Sequence, residues 1–154
     1  MKDIEKLNNQ ILRKIGTLSR AIHSTSDMKY RELSLQKGQF IFLTRICENQ
    51  GINFVVLSKI LTVDKSTTTK AVKKLIEAGY INKEQDENDK REYKLYPTKK
   101  ALEVYDLIIT EENRNINICM EGLTKKEREI VENLLEKMSE NAVKDWLRVK
   151  GGKE

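Results

Sequence analysis

A run of hydroxyl and lysine side chains at residues 66–74 has the composition best suited to a chemical task in this 154-residue chain. On a helical wheel at about 100° per residue, one face carries Ser66, Thr67, Lys70, Lys73 and Lys74, with Thr69 at its boundary. Hydroxyls can bond to base edges, and lysines neutralise phosphates. No acid occurs between Lys65 and Ile76. This face therefore predicts nucleic-acid contact, although a lysine-rich face taken alone is usually only solvated.

A second charged group follows at residues 86–91, DENDKR. Residues 80–85 and 92–96 alternate apolar and polar side chains, which predicts two strands joined by a turn of Asp and Asn residues. Lys90 and Arg91 could reach a DNA groove or a phosphate. We expect Asp89 to hold the Arg91 guanidinium by a charge-assisted hydrogen bond. The alternative is a solvent-exposed turn that merely carries both charges.

Two helices and their caps must position the hydroxyl and lysine face. Asn53 can cap a short helix, and Leu61 to Val63 form a tight turn after it. Asp64 can cap the next helix, which runs to about Ala78 and stops at Gly79. Helix, tight turn, helix and hairpin in this order are the plan of a winged helix-turn-helix, in which one helix enters a groove and the hairpin reaches beside it.

The rest of the chain predicts further helices. Residues 3–23 carry one apolar stripe, residues 24–33 form a loop or weak helix, and a helix runs over about 34–48. In that helix Phe40, Leu43 and Cys47 mark the inner face, with Ile41 and Ile46 at the margins. Long helices follow over about 98–120 and 124–148, the second starting at a capping box of Thr124 and Glu127.

Composition bounds the function. Lys plus Arg exceed Asp plus Glu by 29 − 24 = 5, which alone is weak evidence for a nucleic-acid partner. His23 is the single histidine, and Cys47 and Cys119 are far apart, so we expect no metal site, no cofactor and two buried cysteines. No signal peptide or membrane span is evident, which favours the cytoplasm. No catalytic motif occurs, so an enzyme is not expected.

The chain resembles the MarR family of winged-helix transcription regulators over nearly its whole length. LSKILTVDKSTTTKAVKKLIEAGYI, from Leu57, is similar to the family's helix-turn-helix, and Asp89-Lys90-Arg91 to the D-x-R motif of its wing. LTKKEREIVENLLEKM, from Leu123, resembles the start of its last dimerisation helix. Two departures concern the helix itself. Thr68 stands where an apolar residue is common, which predicts looser packing, and Lys70 stands where Arg is common, which weakens bidentate contact.

The resemblance implies a mainly α (α+β) fold in a single MarR-like domain over 1–154. A winged lobe at 34–97 would hold the recognition helix (about 64–78) and the wing (about 80–96), and the dimerisation helices would lie within 1–33 and 98–148. It implies a homodimer whose two lobes read a pseudo-palindromic double-stranded operator. The apolar stripes support a dimer, because one small lobe could not cover them. The interface residues we predict are Ile4, Leu7, Ile11, Ile116, Leu135 and Trp146.

The predicted function is a sequence-specific DNA-binding regulator, a repressor in preference to an activator. The predicted DNA-binding residues are Ser66, Thr67, Thr69, Lys70, Lys73, Lys74, Asp89, Lys90 and Arg91. The resemblance also implies release by a small-molecule effector, for which His23, Tyr30 and Phe40 are candidate pocket residues, with core packing preferred for Phe40. The alternative is a winged-helix protein-interaction module without DNA binding, which the acidic wing tip favours.

Overall fold

The computed structural model describes residues 2–152, which are mainly helical with one small antiparallel sheet. The elements within them are α1 Ile11–Lys29, α2 Gln39–Glu48, β1 Ile52–Asn53, α3 Phe54–Leu61, α4 Lys65–Glu77, β2 Ile81–Gln85, β3 Tyr93–Pro97, α5 Lys99–Cys119 and α6 Lys125–Lys150. A single 3-10 turn, Arg31–Leu33, lies between α1 and α2. The predicted mainly α fold with a winged helix-turn-helix is confirmed.

The chain divides into two compact units, one ending at Ile108 and the other beginning at Ile109. The first unit holds α1 to α4, the sheet and the start of α5, and the second holds the rest of α5 and α6. The core of the first unit includes Leu43, Leu57, Leu75, Leu95 and Ile108, all with no exposed surface. Across residues 2–152, no helix is both long and apolar enough to span a membrane.

The first helix lies later in the chain than its apolar stripe predicted. It begins at Ile11, and the Asn9 side chain accepts a hydrogen bond from the Ile11 backbone N–H at 3.0 Å. Asn side chains compete for backbone groups in this way and favour helix starts over helix interiors. The helix continues to Lys29 through the start of residues 24–33, for which the sequence predicted a loop or a weak helix, and Ser26 is buried in it. Packing of Ser26 supports the helix here despite the weak helix propensity of Ser and Thr residues.

Helix α2 also begins later than predicted, at Gln39 instead of about Ser34. Ser34, Lys37 and Gly38 all have positive φ, between 58° and 75°, which breaks helical geometry before Gln39. Ile46, predicted at the margin of the apolar face, is fully buried. Because α2 packs against α3, α4 and β3, its buried surface is wider than the stripe that a one-sided helix would show.

The sheet has the order β1-β3-β2 and is antiparallel throughout. The wing strands β2 and β3 were predicted within one residue of their ends, with Ile81 opposite Pro97 and Gln85 opposite Tyr93. The two-residue strand β1 was not predicted. Ile52 pairs with Leu95 there, which joins the base of the wing to the start of α3.

The long helices at the end of the chain follow the prediction closely. The Thr124 side chain accepts from the Glu127 backbone N–H at 3.2 Å, and the Glu127 carboxylate accepts from the Thr124 N–H at 2.7 Å, which confirms the capping box. The Arg128 guanidinium donates to the backbone carbonyls of Leu123 and Met120, which stabilises the turn before α6. No residue of α6 is buried.

Candidate nucleic-acid interface

Asp64 sets the start of α4. Its carboxylate accepts the Thr67 backbone N–H at 2.7 Å and the Ser66 hydroxyl at 2.9 Å, so the predicted N-cap is confirmed. The preceding turn places Thr62 in the left-handed region, with φ of 53°. That turn reverses the chain after α3 in few residues. The acid therefore stabilises the helix N-terminus and orients the first hydroxyl of the exposed face.

The inner face of α4 packs tightly, contrary to the looser packing predicted from Thr68. Thr68 is fully buried, and its hydroxyl lies 2.7 Å from that of Ser58 on α3. Each hydroxyl has one proton, so the two protons are shared among the contact between the hydroxyls, the Phe54 carbonyl at 2.8 Å from Ser58 and the Asp64 carbonyl at 3.2 Å from Thr68. The two hydroxyls satisfy each other, so a polar bridge replaces an apolar contact between the two helices.

Breaking this bridge from one side is expected to destabilise the fold. Thr68→Val should lower the free energy of unfolding by about 1 kcal/mol, because a hydrogen bond is lost in the interior. The double variant with Ser58→Ala and Thr68→Val should lose less free energy of unfolding than the two single variants lose together. In the double variant neither hydroxyl remains without its partner. Urea unfolding measures both, with exposed Thr69→Val as control. Strict additivity would contradict a direct bond.

The outer face of α4 carries the predicted side chains. Ser66, Thr67, Thr69, Lys70, Lys73 and Lys74 are all exposed. The Thr69 hydroxyl donates to the Lys65 carbonyl at 2.9 Å, and Ser66 donates to Asp64 as described. In this arrangement both oxygens present lone pairs outward as acceptors. Lys73 lies 4.0 Å from Glu77, but both side chains are mostly exposed, so this pair barely neutralises the face.

Asp86 organises the wing turn. Its carboxylate accepts the backbone N–H groups of Asn88 at 2.7 Å and Asp89 at 3.0 Å, and lies 3.0 Å from the Lys94 ammonium. These contacts lower the pKa of Asp86 to about 2, and the largest contribution comes from the Asp89 N–H, followed by Lys94. The acid is thus engaged within the hairpin, which weakens the electrostatic argument against DNA at the wing.

The predicted bond between Asp89 and the Arg91 guanidinium is wrong in this structure. The Asp89 carboxylate accepts the Arg91 backbone N–H at 3.0 Å, whereas the Arg91 Nε lies 4.0 Å away. The Arg91 side chain is 95% exposed. A carboxylate two residues before an N–H closes a local turn more readily than it reaches along a flexible side chain. Asp89 therefore positions the backbone and leaves the guanidinium available to a partner.

A pH titration is expected to show which contacts hold Asp86 ionised. Its folded pKa of about 2 lies below the ordinary value of 3.8. The stabilisation is therefore complete above about pH 4 and is lost as the pH falls toward 2. Lys94→Met should raise the pKa only part of the way to 3.8, because the Asp89 N–H remains. Carboxyl-carbon NMR measures this, and a full return to 3.8 would contradict the backbone contribution.

A cleft of about 290 Å³ joins the wing to the helix-turn-helix. Arg91 lines it together with Lys65 and Thr69 of α4. Further lining residues are Asn53, Phe54, Val55, Lys83, Glu92 and Tyr93. Lys83 and Tyr93 were missed from the sequence, although strand alternation places them on one face, and the Lys83 ammonium lies 4.5 Å above the Tyr93 ring. The structure thus brings Arg91 to the exposed face of α4, 22 to 26 residues earlier in the chain.

The remaining candidate residues have ordinary environments. Tyr30 and Phe40 are buried, and their ring centroids lie 5.2 Å apart. The exposed His23 makes a T-shaped contact with Phe40, with ring centroids 5.9 Å apart. Core packing of Phe40 is therefore confirmed. Burial and Glu48 raise the pKa of the Cys47 thiol to about 11, which disfavours a reactive thiolate. Cys119 is exposed, and its predicted burial is wrong within this chain.

Comparison with known proteins decides the family. The family model described as "MarR family" matches residues 35–93. The chain is 39% identical to the HTH-type transcriptional regulator YybA of Bacillus subtilis (strain 168), over 94% of this chain and 96% of that protein. The chain belongs to the MarR family. By this relationship the chain is a helix-turn-helix transcriptional regulator. Its relative YybA is named as a regulator and not as an enzyme.

Solved structures of MarR-family proteins agree. A MarR protein from Peptoclostridium difficile DA00132 is 60% identical and superposes with a TM-score of 0.92 over 97% of each chain. A putative MarR family transcriptional regulator from Listeria monocytogenes, solved with a 26mer DNA, is 42% identical with a TM-score of 0.89 over 100% of this chain and 98% of that one. The MarR assignment thus rests on both sequence and fold.

Proposed function

We propose that this MarR-family chain is a homodimeric, sequence-specific DNA-binding regulator and acts as a repressor. The single observation that carries the DNA role is the exposed face of α4 with Arg91 beside it across one cleft. Short hydroxyl side chains suit base edges, and the lysines suit the flanking phosphates. A relative at 42% identity solved with DNA supports the same partner.

Each element in this proposal has one task. Ser66, Thr67, Thr69 and Lys70 would face the major groove, while Lys73 and Lys74 would neutralise phosphates. Arg91 would enter the minor groove or bind a phosphate, with Lys90 beside it and Asp89 holding the turn. Lys65 and Lys83, which line the same cleft, add positive charge.

Exposed apolar side chains support the homodimer. On the N-terminal segment and α1, Ile4, Leu7 and Ile11 are 87%, 53% and 48% exposed. Ile116 on α5 is 54% exposed, Leu135 on α6 is 42% exposed, and Trp146 is half-buried. Stable monomers seldom leave contiguous apolar surface uncovered. A second copy of the chain, covering these stripes, would also place two α4 helices against two half-sites.

A small-molecule effector belongs to the proposal through the family relationship. It would release the operator by binding more tightly to a dimer shape whose recognition helices no longer match the half-sites. The alternative, a protein-interaction module without DNA binding, draws less support from Asp86, because Lys94 and two backbone N–H groups engage that acid of the wing tip.

Selection of bound duplexes from a random pool tests the proposed function. We expect a pseudo-palindrome with half-sites about one helical turn apart. Binding should weaken with salt by about 0.9 log units per log unit for each phosphate neutralised. Salt-sensitive binding without an enriched sequence would refute sequence-specific reading, and the absence of any binding at low salt would refute the DNA role.

A further inference from the structure

The C-terminal end of α4 is bound by the start of α5. Just beyond the end of the helix lie three successive backbone carbonyls. Each accepts one hydrogen bond, and the donors belong to Thr98 and Lys100. The Lys100 ammonium donates to Ala78 at 2.7 Å, and the Thr98 hydroxyl donates to Gly79 at 2.8 Å. The Thr98 backbone N–H donates to the Tyr80 carbonyl at 2.9 Å. Carbonyls at a helix end need such partners, and a cation there also suits the helix dipole.

Tyr80 connects the same junction to the segment after α1. Tyr80 is 1% exposed, its ring centroid lies 4.3 Å from the Lys100 ammonium, and its hydroxyl donates to the Leu33 carbonyl at 2.6 Å. Burial raises the pKa of Tyr80, so the hydroxyl keeps the proton that it donates. The end of the recognition helix is thus tied both to the 3-10 turn after α1 and to α5.

These two attachment points lead along the chain toward the proposed dimer contacts. The 3-10 turn follows α1, which carries Ile11, and α5 continues to Ile116. The start of α5 is itself anchored, because Ala101 and Ile108 are fully buried in the core. The junction therefore connects the end of α4 both to the segment that follows α1 and to the start of α5.

We propose that Thr98, Lys100 and Tyr80 are positioning residues that set the angle of the recognition helix, and thereby the half-site spacing that the dimer accepts. The proposal rests on the proposed homodimeric DNA reader and deepens it. Lys100 is exposed and Thr98 is half-buried, so these bonds add little to stability. Their main effect is on the orientation of α4, because a loosened junction lets one α4 reach a displaced half-site.

Operators of altered spacing test this inference. Inserting one base pair between the half-sites displaces one of them by about 3.4 Å and turns it by roughly 35°. The wild type should discriminate strongly against the insertion. Lys100→Met, which keeps the alkyl chain and removes the donors, should reduce this discrimination by roughly tenfold. Thr98→Val should act in the same direction, and Lys100→Arg, which restores charge and donors, should recover the wild-type ratio.

Lys99→Met is the matched control. It removes the same charge one residue away, where the ammonium lies 3.9 Å from Glu103 and the side chain is 92% exposed. It should keep the wild-type spacing ratio, whatever its small effect on affinity. Thermal unfolding of every variant verifies that the fold is intact.

The outcomes separate the two proposals. If Lys100→Met and Thr98→Val both leave the wild-type spacing preference unchanged, the positioning role of the junction is wrong and the dimeric reader stands. The positioning role is also wrong if Lys100→Met weakens binding equally at all spacings, because Lys100 would then be only a phosphate contact. A wild type that binds duplexes without any spacing preference would overturn the proposed dimeric reader and the positioning role of the junction with it.

Discussion

Ile116→Asp combined with Leu135→Asp is expected to yield a folded monomer that no longer binds a two-half-site operator tightly. Both side chains are exposed within one chain, so the change should leave the subunit's own core intact. In a dimer each aspartate would be an unpaired charge in an apolar interface, which is costly. Losing the second lobe removes avidity, and operator affinity should fall by about 10²- to 10⁴-fold.

Sedimentation velocity and operator titration measure the two effects together. Asn133→Asp is the control, because it places the same side chain on α6 on the opposite side of the helical wheel from Leu135. It should remain dimeric and bind normally. If the double variant stays dimeric at low micromolar concentration, the proposed interface is wrong. If it becomes monomeric but binds the full operator with unchanged affinity, the dimeric reading mode is wrong.

Arg91→Ala is expected to lower operator affinity by about 10- to 100-fold without loss of the dimer or of stability. The side chain is 95% exposed and makes no hydrogen bond to Asp89, so its removal should change the free energy of unfolding by less than about 0.5 kcal/mol. The salt dependence should fall by about 0.9 in log–log slope if Arg91 binds a phosphate.

Arg31→Ala provides the comparison, since it removes an exposed arginine on the 3-10 turn and changes the net charge equally. Fluorescence anisotropy at two salt concentrations distinguishes a local contact from a general loss of charge. Equal small effects of both substitutions would rule out the assigned wing role. A lower affinity with an unchanged salt slope would indicate that Arg91 reads a base edge instead of a phosphate.

Local features of this protein were predictable because they depend on residues close in sequence. Asp64 and Thr124 act within their own first turns, and a side-chain oxygen three residues before an N–H is in reach whatever the rest of the fold does. The 3.6-residue period likewise predicts that Thr68, Val72 and Leu75 face inward.

The structure differs from the sequence predictions where several groups compete for one partner or where distant elements surround a residue. The sequence predicts that Asp89 binds the Arg91 side chain, but the Arg91 backbone N–H is nearer, at 3.0 Å against 4.0 Å for Nε. Ile46 is buried because several elements surround α2, and periodicity within one helix cannot report how many neighbours it has. The two-residue strand β1 exists only because β3 returns beside it, and so short a segment has no pattern of its own.

The sequence by itself determined the order of elements, the helix caps and the side chains on the exposed face of α4, because these follow from local sterics and period. Tertiary structure alone decided that Arg91 shares a cleft with Lys65, and that Ser58 and Thr68 satisfy each other. It also decided that Lys100 caps the recognition helix from a distance of 22 residues. Such contacts depend on the packing of whole elements, and no short stretch of sequence contains that information.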